Sequence, residues 1–352
     1  MEKLKIGMVG GSRATSYGSV FSNNPKTEVV ALCEVDEEKL AENGKSFELP
    51  DSALYTSYED LLNADIDVVV LGTPIPLHAD QVVKALEAKK HVLSEVTAAD
   101  TVENCSKIVD AVRKAKTKYM LAENCVFMDF SLQWKKWIDA GRIGTPFYAE
   151  ADYVHEIRHL VEDKWRANRA PMHYCSHSLG PLLYWMDDYV VRATASGKHH
   201  SLTPETDGNI DVQVALFETA KGATIKVLRS SVALREPGLC TYSIMGDKGF
   251  LESGRHGYDN IGLRYFDGLD DKKQETRIAV SASDIEAPPE ARLGGHGTSE
   301  YYLAQDFLNA IEFDLTPTLD VVRAMDMTVP GLIAHEAAMK GGVWMDVPRI
   351  TD

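Results

Sequence analysis

Over its first 125 residues the chain alternates short, unbroken apolar runs with segments whose apolar residues recur every three or four positions. The runs occupy 5–9, 28–34, 67–71, 91–93 and 119–122, and the helical patterns fill 37–47, 79–88 and 102–115. A strand that is apolar at nearly every position needs cover on both faces, and strands joined through helices return in parallel. This predicts a doubly wound parallel sheet, whose ligand crevice lies outside the carboxyl ends of its strands.

The pattern changes after residue 130. A helix is expected over 131–140, stopping at Gly141, followed by strand-like stretches at 147–154, 190–196, 212–217, 224–231, 241–245 and 263–266. Val212-Gln213-Val214-Ala215-Leu216 alternates, the mark of a sheet with one exposed face, which antiparallel pairing tolerates. Further helices are expected at 299–313 and 319–340, with surface loops at 268–276 and 287–290. The fold class is therefore α/β. A Rossmann domain at 1–125 precedes an α+β domain at 126–352 built on an open, mostly antiparallel sheet, and the last residues pack back on the first domain. Two domains suit 352 residues at roughly 100–200 per domain.

Composition narrows the partners. Lys and Arg number 37 against 53 Asp and Glu, a formal charge of −16 with no basic run to offset it, which opposes a nucleic-acid binder. The five cysteines, Cys33, Cys105, Cys125, Cys175 and Cys240, are odd in number and contain no CxxC pair, so neither a zinc site nor a disulfide framework is indicated. No leader-like apolar stretch opens the chain, and no run approaches the length of a membrane span. A cytoplasmic, thiol-reduced protein without a membrane partner is expected.

The first strand runs into Gly10-Gly11-Ser12-Arg13-Ala14-Thr15. Counted from Gly10, the second and third glycine positions of a dinucleotide fingerprint hold Ser12 and Thr15, so the bare motif fails. Its context fits better, with a strand before it, a helix after it and Glu34 closing the second strand. Backbone N–H groups at that helix start would face a diphosphate; the competing reading is an ordinary glycine-rich turn. Glu34 stands where an acid accepts hydrogen bonds from ribose hydroxyls and repels a 2′-phosphate, which favours NAD. Asp36 is close enough to compete, but it suits the start of the next helix better. Thr73, Pro74, His78 and Glu95 follow the fourth and fifth strands and should line the crevice.

Glu34, Thr73-Pro74…His78, Lys90-His91-Val92 with Glu95, and Gly246-Asp247-Lys248-Gly249 together resemble the Gfo/Idh/MocA oxidoreductase family over nearly the whole chain. The resemblance implies a Rossmann domain joined to an open-sheet domain, and NAD(P)-dependent oxidation or reduction of sugar or polyol hydroxyls. Two departures stand out. The family's Glu-Lys-Pro triplet is Glu95-Val96-Thr97 here, so the lysine that assists hydride transfer is absent. The family's Asp and His, four residues apart beside the nicotinamide, correspond to His173 and His177.

A narrower branch is also similar, the NAD-dependent α-N-acetylgalactosaminidases. The matching elements are Arg13, Glu95-Val96-Thr97-Ala98-Ala99, Glu123-Asn124-Cys125, Tyr153-Val154-His155-Glu156-Ile157-Arg158, Trp165-Arg166, Tyr174 through Pro181, and Gly294-Gly295-His296-Gly297. Those enzymes oxidise the sugar at C3, eliminate the aglycone across the acidified C2 position, add water and reduce the ketone again. The tyrosine usual after their Glu-Asn-Cys element is Phe127 here. Three functions therefore stay open: C3 oxidation without cleavage, a complete redox glycosidase cycle with recycled NAD, and a non-catalytic NAD or sugar sensor.

Removing hydride from a secondary alcohol requires a base within reach of the hydroxyl, and histidine suits that work near neutrality. Helical spacing would put His173 and His177 on one face. His177 is read as the base, with Tyr174 and His173 assisting. Histidines at i and i+4 can also chelate zinc, but the glutamate of an HExxH motif is missing, since Tyr174 follows His173, and no metal is expected. His155 and Arg158, near the end of the second domain's first strand, are candidate substrate contacts. The resemblance adds His296 to them and places Asn124, Trp165 and Arg166 near the cofactor. NAD is the expected cofactor, a neutral sugar or glycoside the expected ligand, and a symmetric homo-oligomer the expected assembly.

Overall fold

The computed structural model describes residues 2–157, 164–167, 169–199, 210–233, 235–257, 259–266 and 275–352. The chain forms two compact units. The first comprises Met1–Phe127, Ile285–Met325 and Ile350–Asp352; the second comprises Met128–Asp284 and Asp326–Arg349.

The first unit is built on six strands, β1 (Leu4–Val9), β2 (Thr27–Cys33), β3 (Leu54–Tyr55), β4 (Val68–Leu71), β5 (His91–Ser94) and β6 (Tyr119–Leu121). They pair in parallel in the order β3-β2-β1-β4-β5-β6. Helices α1 (Arg13–Ser22), α2 (Glu37–Ser46), α3 (Tyr58–Leu62), α4 (Ile75–Glu87) and α5 (Val102–Lys114) carry the crossovers. All four residues of β4 are buried, as cover on both faces requires. Local chemistry sets the helix starts: Asp36, Ser57 and Thr101 accept backbone N–H groups of the first turns of α2, α3 and α5. The strand order turns back between β1 and β4, which is where such a sheet opens its crevice.

The second unit follows with α6 (Asp129–Asp139), β7 (Pro146–Val154), α7 (Lys164–Ala167), α8 (Ser176–Met186), β8 (Val190–His199), β9 (Ile210–Thr219), β10 (Thr224–Ser230), β11 (Leu239–Gly246), β12 (Gly249–Glu252), β13 (Asn260–Phe266) and β14 (Thr276–Val280). After α9 (Ser299–Glu312) and α10 (Val321–Met339), β15 (Met345–Asp346) completes the sheet. Its nine strands run in the order β14-β13-β12-β11-β7-β10-β9-β8-β15. β10 lies parallel to β7 and the other pairs are antiparallel.

In β9, Gln213, Ala215 and Phe217 point inward, while Val212, Val214 and Leu216 stand about 40% exposed on the other side (39%, 41% and 38%). The inward face meets an aromatic cluster. Phe130 and Trp134 from α6 and Trp185 from α8 gather with Tyr242 from β11 at ring separations of 5.0–6.3 Å.

The extra strands β12, β14 and β15 were not legible in the sequence. The segment 285–325, expected in the second domain, clusters with the first. There α9 buries Leu303, Phe307 and Leu308, and the N–H of Leu121 in β6 donates to Leu319. All five cysteines are buried. Among the described residues no helix is long and apolar enough to cross a membrane.

Candidate functional site

In the first unit the residues singled out by the sequence gather at the β1/β4 switch point. Gly10 adopts φ +99°, and a Cβ there would lie 2.8 Å from the carbonyl of Gly72, so only glycine lets the two turns approach. Helix α1 starts at Arg13 behind Ser12 without a side-chain cap, which leaves its leading backbone N–H groups to serve an anion.

Glu34 and Asp36 take different partners. Asp36 is engaged at α2, where the N–H of Lys39 foremost holds its carboxyl below the usual range. Glu34 turns its carboxylate onto the glycine loop, accepting the N–H of Gly11 at 2.5 Å and that of Asp36 at 3.1 Å. Asn43 ties the same loop down by donating to Gly11 O at 2.8 Å.

Arg13 meets Glu95 through Nε and Nη2, at 3.1 and 2.6 Å from one carboxylate oxygen. The other oxygen of Glu95 accepts the N–H of Val96 at 3.0 Å. His78 is fully buried with both ring nitrogens facing backbone carbonyls, Thr97 O at 2.9 Å and Thr73 O at 2.8 Å. It joins the turns after β4 and β5 from within. Burial pushes its pKa down against the pull of those two carbonyls. Thr73 donates to Gln81 at 2.5 Å, and Pro74 precedes the first residue of α4. Asn124 is 1% exposed, and its side-chain N–H₂ has no hydrogen-bond partner among the described residues.

His296 also belongs to this unit. Its ring Nδ1 lies 2.6 Å from Glu300, which is fully buried and also accepts the His296 N–H and the Ser299 hydroxyl. Burial pushes the Glu300 carboxyl up, but the hydrogen bond and charge of His296 outweigh it and hold the group below its usual range. A Cβ on the neighbouring Gly295 would lie 3.6 Å from an Arg13 guanidinium nitrogen. The glycine-rich turn bearing His296 thus borders Arg13, although the sequence reading placed His296 with the substrate.

The second unit carries the candidate base. The His177 ring lies 4.9 Å from Tyr174, edge to face, and 5.1 Å from Tyr153. His155 stacks on Tyr153 at 4.3 Å. The backbone of His177 is anchored by a substitution of partners. Pro181, four residues further along α8, has no N–H to give the His177 carbonyl, and the Tyr242 hydroxyl donates to it instead at 2.6 Å.

His173 behaves differently from the expectation of a shared helical face. Pro171–Tyr174 forms a 3₁₀ turn, Cys175 separates it from α8, and the His173 ring packs edge-on against His335 at 4.6 Å. Trp165 and Arg166 lie in α7 of this unit, with the Arg166 guanidinium 4.8 Å from the indole. Arg158 lies outside the described residues.

Two arginines that sequence reasoning missed border the same tyrosines. The Arg229 guanidinium carbon lies 4.1 Å from the Tyr153 ring and 5.3 Å from Tyr174. That of Arg169 lies 4.0 Å from Tyr174 and 5.5 Å from Trp165. A signal existed for Arg229: in β10 it shares the period-two face of Ile225 and Val227, both fully buried. Arg169 offers no comparable pattern.

Residues 4–123 match the family model for the Gfo/Idh/MocA oxidoreductase family, NAD-binding Rossmann fold, and residues 131–252 match that for the GFO/IDH/MocA C-terminal domain. An α-N-acetylgalactosaminidase of Shewanella oneidensis is 27% identical over 273 residues, which cover 67% of this chain but only 60% of that relative's length. A glycosyl hydrolase family 109 protein of Solibacter usitatus is 25% identical across 99% of this chain and 88% of its own. The fold matches an inositol dehydrogenase homolog from Azotobacter vinelandii, solved with NADH and myo-inositol, at a TM-score of 0.81, 19% identity and 98% coverage of both chains.

Proposed function

The chain belongs to the Gfo/Idh/MocA oxidoreductase family, whose Rossmann domain binds NAD, and from that premise we propose that it oxidises a secondary hydroxyl of a pyranose or glycoside, at C3, to the ketone. The observation that carries this reading is His177, set against Tyr153 and Tyr174 with its backbone fixed by Tyr242.

The cofactor-side residues fit NAD. Glu34 presents a carboxylate suited to ribose hydroxyls, the uncapped start of α1 suits a diphosphate, and Asn124 holds buried N–H donors that lack an acceptor among the described residues. Bound NAD supplies the hydride acceptor. The protein's part is to take the hydroxyl proton on the His177 imidazole as the C–H hydride leaves, with Tyr174 orienting the sugar oxygen. Val96 stands where the family carries lysine, so no ammonium group comes from that turn, and the proton falls to His177. The names of the relatives, an α-N-acetylgalactosaminidase and a myo-inositol-binding dehydrogenase homolog, support a ring polyol as ligand.

A second reading, the redox glycosidase, is favoured by the curated relatives, while Phe127 at the position of that branch's tyrosine weighs against it. A panel of glycosides incubated with NAD and followed by NADH absorbance and mass spectrometry separates the readings. C3 oxidation gives one NADH per keto product with the glycosidic bond intact. Repeated release of sugar without added NAD gives the glycosidase, and ligand binding with no NADH or cleavage gives a sensor. His177→Ala should lower turnover by at least about 100-fold, and unchanged turnover would remove His177 from the base role.

The row Val212, Val214 and Leu216 on the open sheet face is proposed to pair with its counterpart in a second copy.

A further inference from the structure

Arg229 is 4% exposed in β10, and among the described residues its side-chain hydrogen bonds go to two backbone carbonyls, Tyr153 O at 3.4 Å and Pro171 O at 3.5 Å. Arg169 has aromatic neighbours, Tyr174 and Trp165, and no carboxylate partner among the described residues. Both guanidinium groups border the Tyr174 ring beside His177.

A buried cation without a carboxylate is costly, because the desolvation penalty goes unmatched by an opposite charge. Cation–π contact with tyrosine recovers only about 0.5–2 kcal/mol of such a cost. Stacking uses the flat face of the guanidinium, whereas its N–H donors project from the edge as a planar fork that matches carboxylate and phosphate. Half-buried Arg169 borders the same tyrosine, within a chain whose formal charge is −16 and which has acids to spare for pairing elsewhere.

We infer that the sugar bound by the second unit carries an anionic substituent, a carboxylate or a phosphate, recognised by Arg169 and Arg229. This rests on the proposed reading of the His177 cluster as a sugar site, and it replaces the neutral ligand that net charge alone suggested. The anion would complete the electrostatics of a cluster that holds two cations and no carboxylate among these contacts. A sugar lacking it would leave both guanidinium groups unmatched, so discrimination against the neutral analogue follows from the same geometry.

Equilibrium binding to the NADH-loaded protein tests this without turnover. D-glucose, D-glucuronate and glucose 6-phosphate serve as probes, titrated by calorimetry at low and high salt. At least one anionic probe should bind tenfold or more tighter than glucose, with the preference shrinking as salt rises. The preferred probe distinguishes carboxylate from phosphate. Arg169→Gln should collapse the anionic-to-neutral ratio toward one, and Arg169→Lys, which keeps the charge but loses the fork, should fall between. Glucose binding as tightly as both anions, or no binding by any probe, overturns the inference; so does a ratio unchanged in a folded Arg169→Gln protein. Anion-selective binding without hydride transfer from any sugar would leave the inference standing while removing the proposed oxidation.

Discussion

The Tyr242 hydroxyl donates to the carbonyl of His177 at 2.6 Å, occupying the place that an N–H at position 181 would fill in an uninterrupted helix. Tyr242→Phe should therefore strand a buried carbonyl, costing about 1–3 kcal/mol of stability and lowering kcat more than it raises KM. Pro181→Ala restores a helical donor to the same carbonyl. The double variant Tyr242→Phe/Pro181→Ala should recover part of both losses, as measured by urea denaturation and steady-state kinetics. Strictly additive effects would show that the two residues do not serve one acceptor.

Glu34 faces the glycine loop with no cation among its hydrogen-bond partners, which are the N–H groups of Gly11 and Asp36. Replacing it with alanine should weaken NAD and relieve the repulsion of a 2′-phosphate, shifting the NAD-to-NADP affinity ratio by about tenfold or more. Fluorescence titration with NADH and NADPH reads the ratio directly.

Glu95 is the more buried partner of its ion pair, 6% exposed at the side chain against 31% for Arg13. Arg13→Ala leaves that carboxylate unmatched and should cost about 2 kcal/mol. Glu95→Gln keeps an acceptor for Arg13 and should cost less. Thermal unfolding of the two variants checks the asymmetry, and a larger loss in Glu95→Gln would contradict it.

His78 gives a pH signature. Burial lowers its folded pKa below the ordinary 6.5, despite the Thr97 and Thr73 carbonyls and the charges of Glu95 and Asp100 acting the other way. Above pH 6.5 the ring is neutral in both states and carries no penalty. As the pH falls below 6.5 the unfolded chain gains a proton that the folded chain refuses, so stability declines until the folded pKa is passed. The slope should reach up to about 1.4 kcal/mol per pH unit. His78→Phe should flatten the difference between urea unfolding at pH 7.5 and pH 5.5.

The exposed row on β9 predicts association. Val214→Glu sets a charge in the middle of Val212, Val214 and Leu216 and, if that face pairs copies, should lower the mass found by light scattering while leaving circular dichroism unchanged. An unchanged mass would place any assembly elsewhere.

The Rossmann unit was legible because its strands and helices announce themselves locally, through unbroken runs such as Val68-Val69-Val70-Leu71 and caps such as Asp36 and Thr101. The glycine motif was incomplete as a pattern, and its spacing did not show that Glu34 turns onto the glycine loop to accept the N–H of Gly11. His173 and His177 were misjudged as one helical face because spacing alone does not register Pro171 opening a separate turn. Arg169 and Arg229 escaped notice because an isolated arginine reads as solvated surface, and only its strand neighbours say otherwise. The association of 285–325 with the first unit had no local signal, since an amphipathic helix such as α9 names an apolar partner without saying which.

That late segment bears on how the protein is made. Domains emerging from the ribosome tend to fold in order, N-terminal first. Here the first unit holds α9 and Leu319, which pairs with β6, so its complete structure waits on residues synthesised after nearly all of the second unit. Until then the nascent Rossmann sheet lacks the helix whose Leu303, Phe307 and Leu308 are buried in the finished unit. The cofactor-binding half is begun first and closed last, and until that closure it leaves uncovered the kind of apolar surface that makes folding intermediates prone to aggregate.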